Sequence, residues 1–282
     1  GTTLTYVNVS PDGRTLALLG RRPDAPLGVW VKRLDQGSAQ PLEIQGFTGG
    51  LVWSADGREL AVNTTRGLVA VRLDGGVVRS LTSGDFNATS WGAGGSILGR
   101  RAERLRILNA TTGQISEVPD IFLTGSEFLP DGRRFLFTGR EKDAGNPDGV
   151  YIASIDAPTV RRKVLPVRSV VAYADGHVLF VRDGTLFAQR FDADRGEPSG
   201  EPSVIVDGVW FFLPNGRAMF SAAAGTIAYL VHDPDDVPVW VDRQGAEVGT
   251  LGSPGLFQNV RISPDGRRAV VYQIDRRLGT GD

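Results

Sequence analysis

The 282-residue sequence lacks cysteine altogether and contains two histidines and one methionine. Without cysteine there is no disulfide, no zinc–thiolate site and no thiol nucleophile. His177 and His232 are too few for most histidine-based metal sites and catalytic triads. Basic and acidic side chains number 31 and 32, so no bulk charge attracts nucleic acid or an anionic membrane.

Long hydrophobic runs are also missing. No window approaches the ~18 consecutive apolar residues of a membrane-spanning helix, and residues 1–8 lack the basic and apolar regions of a signal peptide. We therefore expect no direct membrane insertion by this segment, with any anchor or export signal elsewhere in the parent chain. No apolar period of 3.6 residues is sustained, so no substantial helix is predicted.

Glycine, by contrast, is abundant, with 37 residues, nearly double the usual ~7%. Four segments share a Ser/Leu-Pro/Ala-Asp-Gly-Arg turn, at residues 10–14, 54–58, 129–133 and 263–267. In such a turn proline presets φ, aspartate accepts local backbone hydrogen bonds, and glycine takes the left-handed conformation. Alternating apolar runs flank each turn, which predicts a β-hairpin.

Degenerate copies of the turn occur at residues 90–95, 172–176 and 221–225, which reveals a repeat. The seven turn glycines are Gly13, Gly57, Gly95, Gly132, Gly176, Gly225 and Gly266. Their spacing is close to the ~40–45 residues of one four-stranded propeller blade. We predict a single all-β domain over residues 1–282, a β-propeller of antiparallel blades, with six blades favoured and seven as the alternative. The predicted repeats are 1–45, 46–83, 84–118, 119–166, 167–206, 207–252 and, in part, 253–282.

Large side chains recur beside the hairpins. One four-stranded sheet of this size cannot bury both faces alone, whereas sheets stacked around an axis bury them against their neighbours. The residues expected to fill the spaces between blades are Trp53, Trp91, Phe128, Tyr173 and Phe220.

The repeated turn resembles the repeat of TolB-like propellers. Residues 176–189, continuing into Phe191-Asp192 and Gly200-Glu201-Pro202, resemble a segment of the propeller regions carried C-terminally by some bacterial transmembrane serine/threonine protein kinases. Residues 239–245, with Gly252 and the turn at 263–267, resemble its continuation. The resemblance covers most of the chain and implies an extracytoplasmic sensory or protein-binding module, tethered by a transmembrane helix outside this segment.

Departures from that family pattern are also visible. The third and sixth repeats lack the Asp-Gly turn, and the segment carries no kinase signature. A kinase domain, if the parent has one, therefore lies elsewhere in the parent chain.

Motifs for chemistry are scarce. There is no Gly-x-Ser-x-Gly elbow of a serine hydrolase and no phosphate-binding loop, and basic pairs are scattered among acids without interleaved aromatics, so no nucleic acid is expected. The acidic run at 232–236 and the insertion at 139–149 offer oxygen ligands for calcium, but solvated turns are favoured. One metal alternative stays open, a lactonase-like channel site with Glu127, Asn87 and Asn259.

The loops that enter the innermost strands carry aromatics and amides. In propellers these loops surround one mouth of the central channel, so we predict the binding site there. An apolar run at 209–213 is a candidate hydrophobic anchor, with cover of a blade edge as the alternative. The predicted site residues are Phe47, Thr48, Phe86, Asn87, Phe122, Trp210, Phe211, Phe212, Phe257, Gln258 and Asn259.

The function predicted from these observations is recognition without catalysis. The partner is expected to be a small ligand, a peptide or an envelope protein, with no metal or other cofactor. The propeller is expected to serve as the extracytoplasmic sensor of a bacterial receptor kinase. The alternatives are a periplasmic TolB-type scaffold, the gating propeller of a prolyl-oligopeptidase-like enzyme, and the lactonase-like hydrolase.

Overall fold

The structure is a computed structural model, and it describes residues 3–22, 25–140, 149–212, 216–231, 237, 239–264 and 268–274. All regular structure in these ranges is β-strand, as predicted. In the same ranges no helix is long and apolar enough to cross a membrane. The acidic run at 232–236 and the insertion residues 141–148 lie outside the described residues, so their predictions stay untested.

The first two repeats each form a four-stranded antiparallel meander. The first sheet contains β1 (Thr3–Val9), β2 (Thr15–Arg21), β3 (Leu27–Arg33) and β4 (Gln40–Leu42). The second sheet contains β5 (Phe47–Trp53), β6 (Glu59–Thr64), β7 (Gly67–Arg72) and β8 (Val78–Thr82).

The third and fourth repeats are joined in one seven-stranded sheet. Its strands are β9 (Asn87–Trp91), β10 (Ser96–Arg101), β11 (Arg104–Asn109), β12 (Ile115–Phe128), β13 (Arg134–Arg140), β14 (Gly149–Ser154) and β15 (Ala157–Leu165). The long strand β12 pairs with β11 near its start and with β13 near its end. It is therefore the last strand of one repeat and the first of the next, and the predicted boundary between residues 118 and 119 falls inside it.

The fifth repeat is again a four-stranded meander, with β16 (Val171–Ala174), β17 (His177–Arg182), β18 (Thr185–Asp192) and β19 (Glu197–Val206). The remaining strands pair as four two-stranded sheets. They are β20 (Phe211–Phe212) with β21 (Arg217–Ala218), β22 (Phe220–Ala223) with β23 (Thr226–Tyr229), β24 (Val239–Val241) with β25 (Glu247–Thr250), and β26 (Leu256–Ile262) with β27 (Ala269–Ile274).

The first strands of the repeats form a closed path. In order around the path, β1 contacts β5, followed by β9, β12, β16 and β22, and β22 contacts β1 again. This arrangement is that of a propeller whose first strands surround a central channel. Six first strands take part, but β24 and β25 form a sheet separate from β22 and β23, so the blade count stays a prediction.

Apolar cores lie between successive sheets. Five clusters of buried side chains lie between successive sheets. One aromatic residue that was predicted to fill an inter-blade space belongs to each cluster or packs against it. Trp53, Trp91, Phe128 and Phe220 are buried in these clusters, and Tyr173 packs against one of them. The packing prediction is confirmed, and the stability of the fold comes from these interfaces.

The junction between β22 of the sixth repeat and β1 of the first repeat is polar instead. The backbone N–H of Val9 donates to Ser221 Oγ at 2.9 Å, and Ser221 Oγ donates to Asn8 Oδ1 at 3.2 Å. Thr226 Oγ1 donates to the carbonyl of Gly13 at 2.8 Å. Side-chain hydroxyls of β22 and β23 thus fasten the sixth repeat to the first.

The repeated turn works as its residue types predict. In the second copy, Ser54 Oγ donates to Asp56 Oδ1 at 2.6 Å, and the backbone N–H of Arg58 donates to the same carboxylate oxygen at 3.1 Å. Ser54 Oγ in turn accepts from the backbone N–H of Glu59 at 2.9 Å. Gly57 adopts φ +70°, the left-handed conformation that closes the hairpin.

Candidate functional site

A cavity of about 390 Å³ opens between the second and third repeats. It is bounded by the start of β5, the turn between β6 and β7, and the segment entering β9. In a propeller these turns lie on the same face, at the mouth of the central channel. The cavity is lined by Thr48, Gly49, Gly50, Asn63, Thr64, Thr65, Gly67, Ser83, Gly84, Asp85, Phe86 and Asn87.

Two asparagine side chains meet in this cavity. Asn63 Nδ2 donates to Asn87 Oδ1 at 3.4 Å, which leaves an amide oxygen and an amide N–H to face a ligand. Gly50 makes room for the pair, because a Cβ built there would lie 2.7 Å from Asn63 Nδ2. Gly50 also has φ +71°, where a larger residue would be strained.

The cavity chemistry is mainly neutral. Hydroxyl and amide groups of Thr48, Asn63, Ser83 and Asn87 both donate and accept hydrogen bonds at neutral pH. Asp85 is the one carboxylate among the lining residues, and it forms an exposed ion pair with Arg101 at 3.5 Å. These groups suit a neutral ligand rich in hydrogen-bonding atoms.

The structure brings three predicted site residues to this cavity: Thr48, Phe86 and Asn87. Phe86 differs from expectation, because its side chain is only 2% exposed and belongs to the core cluster with Trp91. The Phe86 ring occupies the space beside Gly99 that a Cβ would otherwise need, since a Cβ built at Gly99 would lie 2.3 Å from Phe86 Cε1. Phe86 therefore supports the cavity wall rather than offering a free ring. Phe47, at the start of β5, also packs against an inter-sheet core.

The apolar run at 209–213 was expected to be a connecting segment, and the structure corrects this in part. Phe211 and Phe212 form strand β20, and the backbone N–H of Trp210 donates to the carbonyl of Leu230 at 2.8 Å. Val209 is buried and Phe211 packs against the same core cluster. Trp210 and Phe212 are half-buried and stack with ring centroids 6.5 Å apart. Phe211 is half-buried as well, so each of the three rings retains part of its surface for a partner.

The other predicted site residues lie apart from the cavity. Phe122 is half-buried on β12, with the Arg104 guanidinium 5.1 Å from its ring centroid. Phe257 lies on β26, and the side chains of Gln258 and Asn259 lie outside the described part of the chain. Of the nine predicted residues whose side chains are described, Thr48, Phe86 and Asn87 line the cavity.

A second set of polar residues, here called the channel group, is linked by electrostatic interactions between repeats. Tyr6 on β1 interacts with Glu127 on β12 and with Arg217 on β21. Arg217 also interacts with Arg100 on β10. β1 and β12 are both first strands of the closed path, so Tyr6 and Glu127 lie on strands that surround the central channel.

Burial shifts the protonation of these groups. Loss of water around the carboxyl raises the pKa of Glu127 from its ordinary value of 4.5 to about 8. Burial also raises the pKa of the Tyr6 phenol, and Glu127 raises it further, while Arg217 opposes them. Burial lowers the pKa of Arg100. Burial therefore favours the protonated form of both the Glu127 carboxyl and the Tyr6 phenol.

The lactonase-like alternative is not assembled by the described residues. Asn87 accepts a hydrogen bond from Asn63 in the mouth cavity, whereas Glu127 lies on β12 and does not line that cavity. The Asn259 side chain lies outside the description. Within the ranges that the structure describes, no group of three or more acidic, histidine or cysteine side chains is positioned to hold a metal ion.

Comparisons with known proteins identify the fold. No protein-family model matches the sequence, and no curated protein matches it significantly. Among solved structures, TolB from Acinetobacter baumannii aligns with a TM-score of 0.54 and 15% identity, covering 72% of this chain and 56% of that one. A putative TolB from Agrobacterium tumefaciens aligns with a TM-score of 0.58 and 15% identity, covering 82% of this chain and 91% of that one. The chain has the fold of a TolB-like β-propeller.

Sequence reasoning missed most of the channel group. Glu127 was considered only as a metal ligand, and Tyr6, Arg100 and Arg217 were not singled out. Each lies in an ordinary strand pattern, and the four residues are 27 to 211 positions apart in the sequence. The one local sign is that these polar residues occupy strands whose neighbours are buried and apolar.

Proposed function

We propose that this propeller is a non-catalytic recognition domain that binds its ligand in the mouth cavity between β5 and β9. The observation that carries the proposal is the convergence of Asn63 and Asn87 among hydroxyl groups and half-buried glycines. Such groups hold a ligand through several hydrogen bonds in a fixed geometry and need no activation. Because the groups are presented on strands, little ordering cost opposes binding.

The cavity favours two neutral ligand types, a short peptide in extended form or a small saccharide. Both present donors and acceptors in pairs, which match the free amide oxygen of Asn63 and the free amide N–H of Asn87. The cavity volume of about 390 Å³ lies at the small end of ligand sites in general. We therefore expect the cavity to hold one or two amino-acid residues of a peptide, or one or two sugar rings of a saccharide.

We propose further that the domain is the extracytoplasmic sensor of a bacterial receptor serine/threonine kinase. The support is the resemblance of residues 176–202 and 239–267 to the propeller regions of such kinases. The parent sequence provides a direct check. A kinase domain and a spanning helix upstream support the sensor, whereas a Gly-x-Ser-x-Gly domain downstream supports the peptidase and an export signal alone supports the scaffold.

The binding proposal is tested by isothermal titration of the protein with trialanine and with maltotriose. One of the two is expected to bind, and Asn63→Ala with Asn87→Ala should weaken it about tenfold or more, because each lost hydrogen bond costs roughly 0.5–1.5 kcal/mol. Gln40→Ala, an exposed amide on β4, is the matched control and should leave binding unchanged. No binding of either probe, or equal binding by the double variant, contradicts the proposal.

A further inference from the structure

Arg106 on β11 holds the segment that enters β9 by a hydrogen bond to its backbone. Its Nη1 donates to the carbonyl of Asp85, a cavity-lining residue, at 3.1 Å. Its Nε and Nη2 donate to a single oxygen of Glu117, Oε2, at 3.2 and 2.9 Å. The Arg106 side chain is only 14% exposed, so little water competes for these donors. One guanidinium thus joins β12 to the wall of the mouth cavity.

The register of the sheet explains why Arg106 reaches this position. Gly99 lies opposite Arg106 on β10, and Glu117 lies opposite Arg106 on β12. Opposite residues of antiparallel strands share a face, so the guanidinium, the carboxylate and the gap at Gly99 lie on one face of the sheet. Phe86 fills that gap, because a Cβ built at Gly99 would lie 2.3 Å from Phe86 Cε1. Asp85 and Phe86 are therefore anchored side by side, the first by its carbonyl and the second by its ring.

The anchored segment carries one of the two asparagines of the mouth cavity. Asn87 follows Asp85 by two residues and accepts the hydrogen bond from Asn63 at 3.4 Å. Residues 83–86 lie between β8 and β9 and belong to neither strand. The ion pair of the Asp85 carboxylate with Arg101 is exposed at both ends and adds little. The position of Asn87 therefore depends on how the backbone before it is held.

We propose that Arg106 is a positioning residue of the mouth cavity, which fixes the Asn87 amide for a ligand through the backbone of Asp85. This inference rests on the proposed function, because that function needs the two asparagine amides in a fixed geometry. Arg106 does not itself line the cavity, so it acts on the ligand only through the segment it holds. Without its hydrogen bond the ligand must order residues 83–86 on binding, and that ordering lowers the affinity.

Arg79 on β8 offers a matched control, because it makes the same set of hydrogen bonds elsewhere. It donates to Glu59 through Nε and Nη2 at 2.9 and 2.7 Å, and through Nη1 to the carbonyl of Ala110 at 3.0 Å. Neither Glu59 nor Ala110 lines the cavity. Replacing Arg79 therefore removes a similar set of bonds without releasing the cavity wall.

The test compares Arg106→Met with Arg79→Met, since methionine keeps part of the apolar stem and removes every donor. In Arg106→Met, hydrogen–deuterium exchange of the amides of residues 83–87 should be about three- to tenfold faster than in the wild type. Isothermal titration with trialanine and with maltotriose should show an affinity about three- to tenfold lower for the probe that binds the wild type. Arg79→Met should leave both measurements unchanged, although urea denaturation should show that both variants are less stable.

Glu117→Gln separates the held carbonyl from a general effect of charge. Both hydrogen bonds from Arg106 end on one oxygen of Glu117, so the single amide oxygen of glutamine can accept them. Exchange and affinity in this variant should therefore stay within about twofold of the wild type. A loss as large as that of Arg106→Met would assign the effect to charge and overturn the proposal.

Three other results also overturn it. They are unchanged exchange of residues 83–87 in Arg106→Met, equally fast exchange in Arg79→Met, and an unchanged affinity of Arg106→Met for a probe that binds the wild type. If neither probe binds the wild type, the proposed function fails. The exchange measurement then decides alone whether Arg106 holds the cavity wall, because it needs no ligand.

Discussion

Glu127→Gln should make the unfolding free energy of this protein much less dependent on pH. In the folded state the Glu127 carboxyl has a pKa of about 8, raised from 4.5 by burial. In the unfolded chain water surrounds the carboxyl and the ordinary value returns. Between these two values the folded protein holds a proton that the unfolded chain has released, so the contribution of Glu127 to stability falls as pH rises.

The size of the effect follows from the two pKa values. Each pH unit between them corresponds to about 1.4 kcal/mol, so a carboxyl with no access to water would contribute a loss of about 5 kcal/mol by pH 9. The Glu127 side chain is half-buried on the channel, and water there supports its charged form. We therefore expect a loss of about 2–3 kcal/mol, present in full above pH 8 and absent below pH 4.5.

Urea denaturation at a series of pH values between 5 and 9.5 measures this difference. Glutamine has nearly the same shape but no titrating proton, so the variant should equal the wild type near pH 5 and be more stable near pH 9. Glu43→Gln, at an exposed position beyond β4, is the control and should follow the wild-type curve. If the free energies of unfolding of Glu127→Gln and the wild type change with pH in the same way, burial does not raise the pKa of this carboxyl.

Three further predictions concern packing and hydrogen bonds, each measured by urea denaturation. Phe86→Ala should lower the free energy of unfolding by about 3–5 kcal/mol, because the ring is 2% exposed and fills the core under the mouth cavity. Gly99→Ala should also destabilise the fold, because its Cβ would collide with that ring. A loss under about 1 kcal/mol for Phe86→Ala would contradict the core assignment. Ser221→Ala should cost about 1–3 kcal/mol because the Val9 N–H loses its acceptor, and an unchanged midpoint contradicts its role in fastening the last repeat to the first. The hydrogen bond from Ser54 holds the pKa of Asp56 below its ordinary 3.8. Asp56→Ala should therefore be less stable than the wild type at neutral pH and equally stable in strong acid. A loss of stability that persists in acid would show that the charge of Asp56 is not the cause.

Much of the fold is predictable because the repeat is local. The Ser-Ala-Asp-Gly-Arg turn at 54–58 closes a hairpin with hydrogen bonds that span at most five residues. Alternation along the flanking strands then determines which side chains enter the inter-sheet cores, and Trp53 and Trp91 lie there as predicted. Local chemistry of this kind repeats in the sequence, so the pattern reveals the architecture.

The site is harder to predict because it depends on registers between distant strands. The entry loops of β5 and β9 border the cavity, but the position of a loop does not tell which of its rings faces solvent. Phe86 is buried since Gly99 on the neighbouring strand leaves space for it. Phe211 packs against a core because Val209 forms an isolated antiparallel bridge with Val231, beyond the end of β23. Neither pairing leaves a sign in the local sequence.

The distribution of polar and apolar groups in this propeller explains where its stability comes from. Five inter-sheet cores bury aromatic and aliphatic side chains between successive repeats from the first to the sixth, while side-chain hydrogen bonds join the sixth repeat to the first. Arg100 Nε is buried without a hydrogen-bond partner, and burial raises the pKa of the Glu127 carboxyl. Because such groups lower the stability of a folded protein, the burial in the inter-sheet cores must supply the free energy that keeps the domain folded in spite of them.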